Sequence, residues 1–201
     1  MSKGIICSIS GPSGVGKGTV VARLRELLPK AAHSVSVTTR SPRPGETEGV
    51  EYYFRTKEQF MEMLEQGEII EYDEYVGNYY GTPAGPLIEK SNAGTDVLLD
   101  ITIAGSLALD SKFKETVTIF LLPPSMTELE ARLRGRGTES EEVISKRMAE
   151  ATSEIKRAKE FEYIVINDDV ELAAQRILTI IEAERFSAKN NVAIEERILN
   201  S

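Results

Sequence analysis

A glycine-rich loop near the start of the chain separates an apolar segment from an amphipathic one. The segment Gly4–Ile9 is predicted to form a buried strand, and the apolar spacing within Thr19–Leu28 predicts a helix. Residues 11–17 (GPSGVGK) fit the pattern G-x-x-x-x-G-K in the strand and helix context that this pattern requires. Backbone N–H groups of such a loop surround a phosphate, and its lysine reaches the outer oxygens. These features predict a phosphate-binding loop that opens a parallel α/β unit, whereas the alternative is a glycine turn with an exposed lysine.

Further apolar runs are typical of strands that helices cover on both faces. The predicted elements are the strand Val97–Ile101, the strand Val117–Leu122, a helix from Ser125 to about Arg134, a helix from near Glu141 to about Glu160, the strand Tyr163–Ile166 and a helix over Val170–Phe186. The predicted fold class is therefore α/β, with a central parallel sheet flanked by helices.

Residues 34–96 differ from the rest of the chain, because they hold most of the tyrosines and several proline and glycine turns. They are predicted to form an inserted, mostly antiparallel subdomain with one short helix near Lys57–Glu65. The arginine-rich stretch Arg132–Gly137 is predicted to be a mobile flap between two helices. The predicted division is a core of 1–33, 97–125 and 163–187, an insert of 34–96, a lid with flanking helices of 126–162, and a weakly helical tail of 188–201.

The charge balance limits the partners of the chain. With 24 Lys and Arg against 32 Asp and Glu, the formal net charge is −8, which argues against broad binding to nucleic acids or anionic membranes. No apolar run approaches the length of a membrane helix, and the start is too short in apolar residues for a signal peptide. The single cysteine, Cys7, cannot form an internal disulfide, so a reducing cytoplasm is the expected location.

The phosphate-binding loop departs from the common pattern at one position. Gly18 stands where a Ser or Thr hydroxyl usually contacts magnesium, and Thr19 follows it. This Gly-Lys-Gly-Thr variant resembles nucleoside-monophosphate kinases such as adenylate kinase. Either the Thr19 hydroxyl or a water molecule would complete the metal shell.

Several separate segments resemble the guanylate kinase family in the order that the family has them. They are residues 34–46 (SVSVTTRSPRPGE), Gly49, Tyr52, Glu71, residues 77–82 (GNYYGT) and residues 132–139 (RLRGRGTE). The resemblance extends from Gly4 to about Asp169. It implies a P-loop fold with a nucleotide-monophosphate-binding insert and an arginine-rich lid. It also implies the reaction ATP + GMP ⇌ ADP + GDP with Mg²⁺, with ATP and GMP as partners.

The resemblance assigns a GMP site to the insert. Two arginines provide planar forks for a phosphate dianion, and two tyrosines can donate their hydroxyls to the same anion. One carboxylate can accept both N1–H and the 2-amino group of guanine, whereas adenine would leave it unpaired. The implied GMP-binding residues are Ser36, Arg40, Arg43, Tyr52, Glu71, Tyr80 and Thr82, with Glu71 as the carboxylate that reads the base.

The resemblance also assigns the donor site and the transfer step, which needs charge neutralisation and positioning more than a general base. The implied catalytic residues are Lys17, Arg132, Arg136 and Arg147. The implied ATP-binding residues are Gly11, Pro12, Ser13, Gly14, Val15, Gly16, Lys17, Gly18, Thr19 and Asn167. Asp100 is implied to hold magnesium through water, with Thr19 as a second candidate. Thr102 and Ala104 depart from the family, which commonly has an aspartate and a glutamine there.

Two other functions stay open at this point. A guanylate-kinase-like binding module would keep the fold but hold a phosphorylated protein segment, and a monophosphate kinase for another base would differ in its pocket contacts. The intact loop and the lid arginines disfavour the binding module. Turnover of ATP with GMP distinguishes the three hypotheses. The sequence gives no indication of the oligomeric state, and His33 is expected to be structural.

Overall fold

The computed structural model describes residues 3–75, 77–135, 140–191 and 194–200, and its centre is a five-stranded parallel sheet. The strand order is β2-β7-β1-β8-β9. The strands are β1 (Ile6–Ser10), β2 (Ala32–His33), β7 (Val97–Asp100), β8 (Val117–Leu122) and β9 (Tyr163–Ile166). All paired strands of this sheet run parallel, so their carboxyl ends share one edge. The predicted fold class is confirmed, and that shared edge is where ligands of open α/β sheets bind.

Helices cover both faces of the central sheet. They are α1 (Lys17–Leu27), α3 (Ala84–Asn92), α4 (Ile103–Lys112) and α7 (Val170–Glu184). Two further helices, α5 (Met126–Gly135) and α6 (Glu141–Ile155), pack against each other through Leu129, Leu133 and Ala151. On one face, α1 and α7 bury Leu24, Ile177 and Ile181 against the strands, and on the other face Leu87 and Leu109 come from α3 and α4. These apolar contacts keep the sheet and the loops at its carboxyl edge in fixed positions.

A second, four-stranded sheet is built from residues between β2 and β7. Its order is β4-β3-β6-β5, with β3 (Ser36–Thr38), β4 (Tyr52–Phe54), β5 (Ile69–Tyr75) and β6 (Asn78–Pro83). Only β3 and β4 pair in parallel, so the predicted antiparallel character holds for the other pairs. Helix α2 occupies Lys57–Glu65, as predicted, and Thr56 and Gln59 form a capping box at its start. Phe60 of α2 is buried against Val37 and Ile69.

The structure differs from the sequence predictions at several element boundaries. The helix predicted to reach Glu160 ends at Ile155, and Ala158–Glu160 forms a 3₁₀ turn. This turn brings Ala158 and Phe161 into the core, where the Phe161 ring lies 5.0 Å from that of Phe120. Four residues of the predicted flap, 132–135, belong to α5, and residues 136–139 lie outside the described part of the chain.

The chain after α7 lies against the core through polar contacts. Lys189 donates to Glu162 at 2.6 Å and pairs with the buried Glu184 at 3.4 Å. A 3₁₀ turn over Ala188–Asn190 and helix α8 (Ile194–Leu199) follow. Within the described ranges, every helix is too short or too polar to cross a bilayer.

Candidate functional site

The phosphate-binding loop connects β1 to α1 at the carboxyl edge of the central sheet. Gly16 is the N-cap of α1 and has a φ of +94°, a left-handed conformation that favours glycine. No side chain caps this helix, so the first N–H groups of α1 remain available to an anion. Lys17 Nζ donates to the Gly11 carbonyl at 2.8 Å and thus lies over the loop. The loop therefore combines the N–H groups at the start of α1 with the Lys17 ammonium, as phosphate binding requires.

Lys17 and Asp100 form the charged part of this edge. Asp100 ends β7 and is aligned with Ile9 of the neighbouring strand β1. Burial lowers the pKa of Lys17, while the negative charge of Asp100 opposes that change. Burial raises the pKa of the Asp100 carboxyl, and the charge of Lys17 counteracts it. The cation can hold phosphate oxygens, and the carboxylate can accept hydrogen bonds from the water shell of a divalent ion.

Asn167 and Arg132 brace the phosphate-binding loop through the Val15 carbonyl. Asn167 Nδ2 donates to it at 2.8 Å and Arg132 Nη1 at 3.2 Å. Arg132 Nη2 also donates to the Asn167 carbonyl at 3.1 Å, and its Nε bonds Glu128 at 3.0 Å. A β-carbon at Gly16 would lie 2.8 Å from Asn167 Nδ2, so only glycine permits this close packing. Both predicted donor-site residues thus contact the loop, while their contacts with nucleotide remain predictions.

The turn after β3 carries the two arginines predicted for the acceptor phosphate. Arg40 forms a bidentate ion pair with Glu46, with N–O distances of 2.8 and 2.9 Å. Glu46 also accepts from the Arg43 backbone N–H at 2.7 Å. The hydrogen bonds from Arg40 and, to a lesser extent, from the Arg43 backbone lower the pKa of the Glu46 carboxyl. One carboxylate therefore binds both the Arg40 guanidinium and the Arg43 backbone, so the two arginines belong to one hydrogen-bonded turn.

Two predicted tyrosines stand beside Arg40. The Tyr52 and Tyr80 rings are 5.9 Å apart at an angle of 69°, and the Arg40 guanidinium lies 5.4 Å from the Tyr52 ring centre. Tyr52 is aligned with Ser36 across β3 and β4, and both line a cleft of about 280 Å³. Gly18 and Asp100 line the same cleft from the core side, so it joins the phosphate-binding loop to the second sheet.

Glu71 is a buried carboxylate on β5, with 9 % of its surface exposed. The hydroxyl of Thr82, a residue that is 1 % exposed, donates to Glu71 Oε1 at 2.5 Å. Burial raises the pKa of the Glu71 carboxyl, and the Thr82 hydroxyl bond partly offsets the effect. A carboxylate that loses water in this way needs further donors, and the N1–H and 2-amino groups of guanine are two adjacent donors.

The structure gives Thr102 a local role. It is the N-cap of α4, where its hydroxyl accepts from the Gly105 N–H at 3.1 Å. An aspartate at this position would also cap the helix, because both side chains accept from the N3 amide. Thr102 therefore caps the start of α4 as an aspartate would.

The structure describes two of the three arginines predicted for the lid. Arg132 contacts the phosphate-binding loop and Arg147 lies in α6, whereas Arg136 belongs to residues 136–139, outside the described residues. In the described ranges, His, Cys, Asp and Glu form no group of three or more that would hold a metal. Mg²⁺ needs fewer protein ligands than that, since it keeps several waters, so the predicted role of Asp100 and Thr19 at a metal stays a prediction.

Two residues with structural roles at the site were missed by the sequence analysis. Glu46 was part of a recognised segment, and its spacing from Arg40 and Arg43 within a proline-glycine turn was the available signal. Gly105 lies in α4, a helix that the sequence analysis did not predict, so the sequence offered no signal for its role. Its neighbour is the Glu71 carboxylate.

The parallel sheet, the glycine loop before α1 and the second sheet across the cleft define a P-loop nucleotide-binding protein. A sequence profile described as guanylate kinase matches residues 2–184. The chain belongs to the guanylate kinase family.

Related proteins agree with this assignment over nearly the whole chain. Guanylate kinase of Halalkalibacterium halodurans is 51% identical over 182 residues, covering 90% of this chain and 89% of the relative. Guanylate kinase of Lactococcus lactis is 50% identical over 184 residues, covering 92% and 90%. The crystal structure of guanylate kinase from Anaplasma phagocytophilum has a TM-score of 0.77 and 36% identity, covering 100% of this chain and 95% of the other.

Proposed function

We propose that the protein transfers the γ-phosphoryl group of ATP to GMP, giving ADP and GDP. Two observations carry this proposal: the phosphate-binding loop at the carboxyl edge of the core, and the buried Glu71 carboxylate on the second sheet. Membership of the guanylate kinase family supports the same reaction.

The base of the acceptor would be read by Glu71. Its Oε1 accepts from Thr82, which leaves the remaining lone pairs of the carboxylate for N1–H and the 2-amino group of guanine. Adenine has neither donor and would leave a desolvated carboxylate unpaired, at a cost of about 1–3 kcal/mol or more. Ser36 and Thr82 would supply hydroxyls at the edge of the base.

The phosphate of the acceptor would be held by the turn after β3, which carries Arg40 and Arg43. Arg40 and Arg43 provide the cations, and Tyr52 and Tyr80 provide phenolic hydroxyls beside them. Because Glu46 already holds Arg40 in place, little side-chain entropy is lost when a phosphate dianion binds there.

The donor would bind at the phosphate-binding loop, residues 11–19, with Asn167 at its side. Lys17 would exchange the Gly11 carbonyl for the phosphate oxygens of ATP and neutralise charge that develops in the transition state. Arg132, Arg136 and Arg147 would add positive charge over the triphosphate. Asp100, through water, and Thr19 would hold a magnesium ion, which supplies further charge neutralisation when bound.

The division into a core, a GMP-binding insert, a lid with flanking helices and a tail, with the boundaries predicted from the sequence, is part of this proposal. In it the cleft lined by Gly18 and Tyr52 separates the donor side from the acceptor side. We also propose a cytoplasmic location, where Cys7, which is fully buried, stays reduced.

The proposed reaction is tested by an assay that couples ADP formation to NADH oxidation, with ATP and GMP, dGMP, AMP, UMP or CMP. We expect turnover with GMP at least a hundredfold above that with AMP, UMP or CMP, since the pocket contacts set base choice. Binding of GMP without any turnover would favour a binding module. Equal turnover with another monophosphate would show that the base assignment is wrong.

The KM for GMP is expected to rise on acidification, and the rise should begin at a higher pH than the pKa of an ordinary glutamate would give. Burial raises the pKa of Glu71, the charge of Asp73 raises it further, and Lys112 acts in the opposite direction. Reading of guanine requires the ionised carboxylate, so the KM for GMP should rise as the pH falls through this raised value. The KM profile of Glu71→Gln, which retains the titration of the GMP phosphate alone, is the control. Superimposable wild-type and Glu71→Gln profiles would contradict the prediction.

Removal of the Glu46 carboxylate is expected to raise the KM for GMP about tenfold with little change in kcat. Glu46→Ala releases both the Arg40 guanidinium and the Arg43 backbone, and a loss of about 1.4 kcal/mol corresponds to that factor. The matched control is Glu48→Ala, because Glu48 likewise bonds an arginine (Arg55, 2.7 Å) and a backbone N–H (Phe54, 2.8 Å). Equal effects of the two substitutions would show that Glu46 has no particular role at the phosphate.

A further inference from the structure

We propose that Gly105 determines base specificity, because its missing β-carbon leaves the space in which the Glu71 carboxylate stands. This inference rests on the proposed function and extends it to a residue that touches neither substrate. Gly105 is therefore a positioning residue, which acts on the guanine through Glu71.

The geometry at Gly105 leaves no room for a side chain. Gly105 is buried in the first turn of α4, and Glu71 reaches it from β5. An ideal β-carbon at Gly105 would lie 2.8 Å from Cδ and 3.3 Å from Cγ of Glu71, and Oε2 would be closer still. Real β-carbons essentially never approach other atoms within 3.0 Å, so alanine at this position forces a displacement.

The displacement would fall on the Glu71 side chain rather than on the helix. The start of α4 is fixed by the Thr102 cap and by the buried side chains of Ile103 and Leu109. The colliding atoms are the far end of a flexible side chain, which can rotate away at little cost to the fold. Rotation would take Glu71 out of line with Thr82 and with the base, so the cost appears in guanine recognition.

The helix itself gives no reason for a glycine at this position. The backbone of Gly105 does not have a positive φ, and alanine is a better helix former than glycine. Gly85 in α3 is a matched counterpart, since it is also a helical glycine without a positive φ. A β-carbon at Gly85 meets nothing within 4 Å in the described part of the chain.

The proposal is tested by comparing Gly105→Ala with Gly85→Ala in kinase assays with GMP, IMP and AMP. IMP is informative because it keeps N1–H and lacks the 2-amino group. For Gly105→Ala we expect kcat/KM for GMP to fall at least about tenfold, mainly through KM, with a similar fall in the GMP/IMP ratio. The thermal midpoint should stay unchanged or rise, and Gly85→Ala should keep wild-type kinetics. Wild-type GMP/IMP preference in a folded Gly105→Ala protein would overturn the proposal.

A second comparison in the Glu71→Ala background shows whether Gly105 acts through Glu71. Without the carboxylate there is no collision, so adding Gly105→Ala should change kcat/KM for GMP by less than about twofold. An undiminished effect would overturn the proposal. If Gly105→Ala alone is unstable, recovery of the thermal midpoint in the Glu71→Ala background supports the collision, and no recovery overturns it. Calorimetric GMP affinities of the same variants test the role of Gly105 without relying on turnover. If the wild-type protein binds GMP but does not phosphorylate it, the proposed function is wrong, and the affinities still decide whether Gly105 acts on guanine binding.

Discussion

Replacement of Lys17 by alanine is expected to lower kcat by about 10²–10³-fold while leaving GMP affinity nearly unchanged. Lys17 lies over the phosphate-binding loop, and its Nζ contacts the Gly11 carbonyl, on the donor side of the cleft. Neutralisation of the transferred group is lost in the variant, whereas the proposed acceptor residues Arg40 and Glu71 lie in the turn after β3 and on β5. The measurements are steady-state kcat for ATP with GMP and the calorimetric Kd of GMP without ATP.

The reciprocal variant, Arg43→Ala, is the matched control for Lys17→Ala. It removes one phosphate fork from the acceptor turn, so the GMP Kd should rise strongly while ATP binding is retained. Equal losses of GMP affinity in the two variants would show that the donor and acceptor sites have been misassigned.

The substitution Glu71→Gln is expected to reduce the preference for GMP over AMP by about 2–4 kcal/mol, which is roughly a 30- to 700-fold change in the ratio of kcat/KM. Glutamine has the size of glutamate, so packing against Gly105 is kept. Its amide nitrogen would meet the donors of guanine, and the paired acceptors of the carboxylate are lost. The two kcat/KM values, measured for GMP and AMP in the same assay, give the ratio.

Glu74→Gln is the appropriate comparison for Glu71→Gln, because Glu74 is an exposed carboxylate on the same strand, β5. It should keep the wild-type GMP/AMP ratio. If Glu71→Gln keeps that ratio as well, Glu71 does not read the base. If Glu71→Gln lowers the free energy of unfolding by as much as it lowers the GMP/AMP preference, the buried carboxylate has a structural role instead.

The strongly patterned elements could be predicted from the sequence. The strands Val117–Leu122 and Tyr163–Ile166 and the helix Lys57–Glu65 have the predicted bounds. Their signals are local: continuous apolar runs for the strands, and a capping pair that begins the helix. The signal for each depends on residues that are adjacent in the chain.

The missed elements have local signals that point away from their structure. Helix α3 contains Gly85 and Pro86 in its first turn, where proline is tolerated because its missing N–H would have no helical partner. Helix α4 contains Gly105, which weakens the helix pattern. The two residues of β2 are a strand only because they pair with β7, a contact that propensity does not reveal.

The candidate site was assigned from the resemblance to a family, and several of its contacts are not visible in any sequence pattern. Arg40 and Glu46 are close in the chain, so their ion pair was open to prediction. Glu71 and Gly105 come from different parts of the fold, and their contact depends on how β5 meets α4. The same holds for Asn167, whose side chain supports the Val15 carbonyl by donating a hydrogen bond to it, although the two residues are 152 positions apart in the sequence.

That support has a consequence for the order in which the chain matures during its synthesis. The hydrogen bond from Asn167 to Val15 spans 152 positions, and the one from Arg132 to Val15 spans 117. Glu71 and Gly105 are both synthesised before Arg132 and Asn167, so their contact can form before the phosphate-binding loop is braced. Under the proposed function, the loop that would hold ATP is therefore braced only after the last strand, β9, has been synthesised.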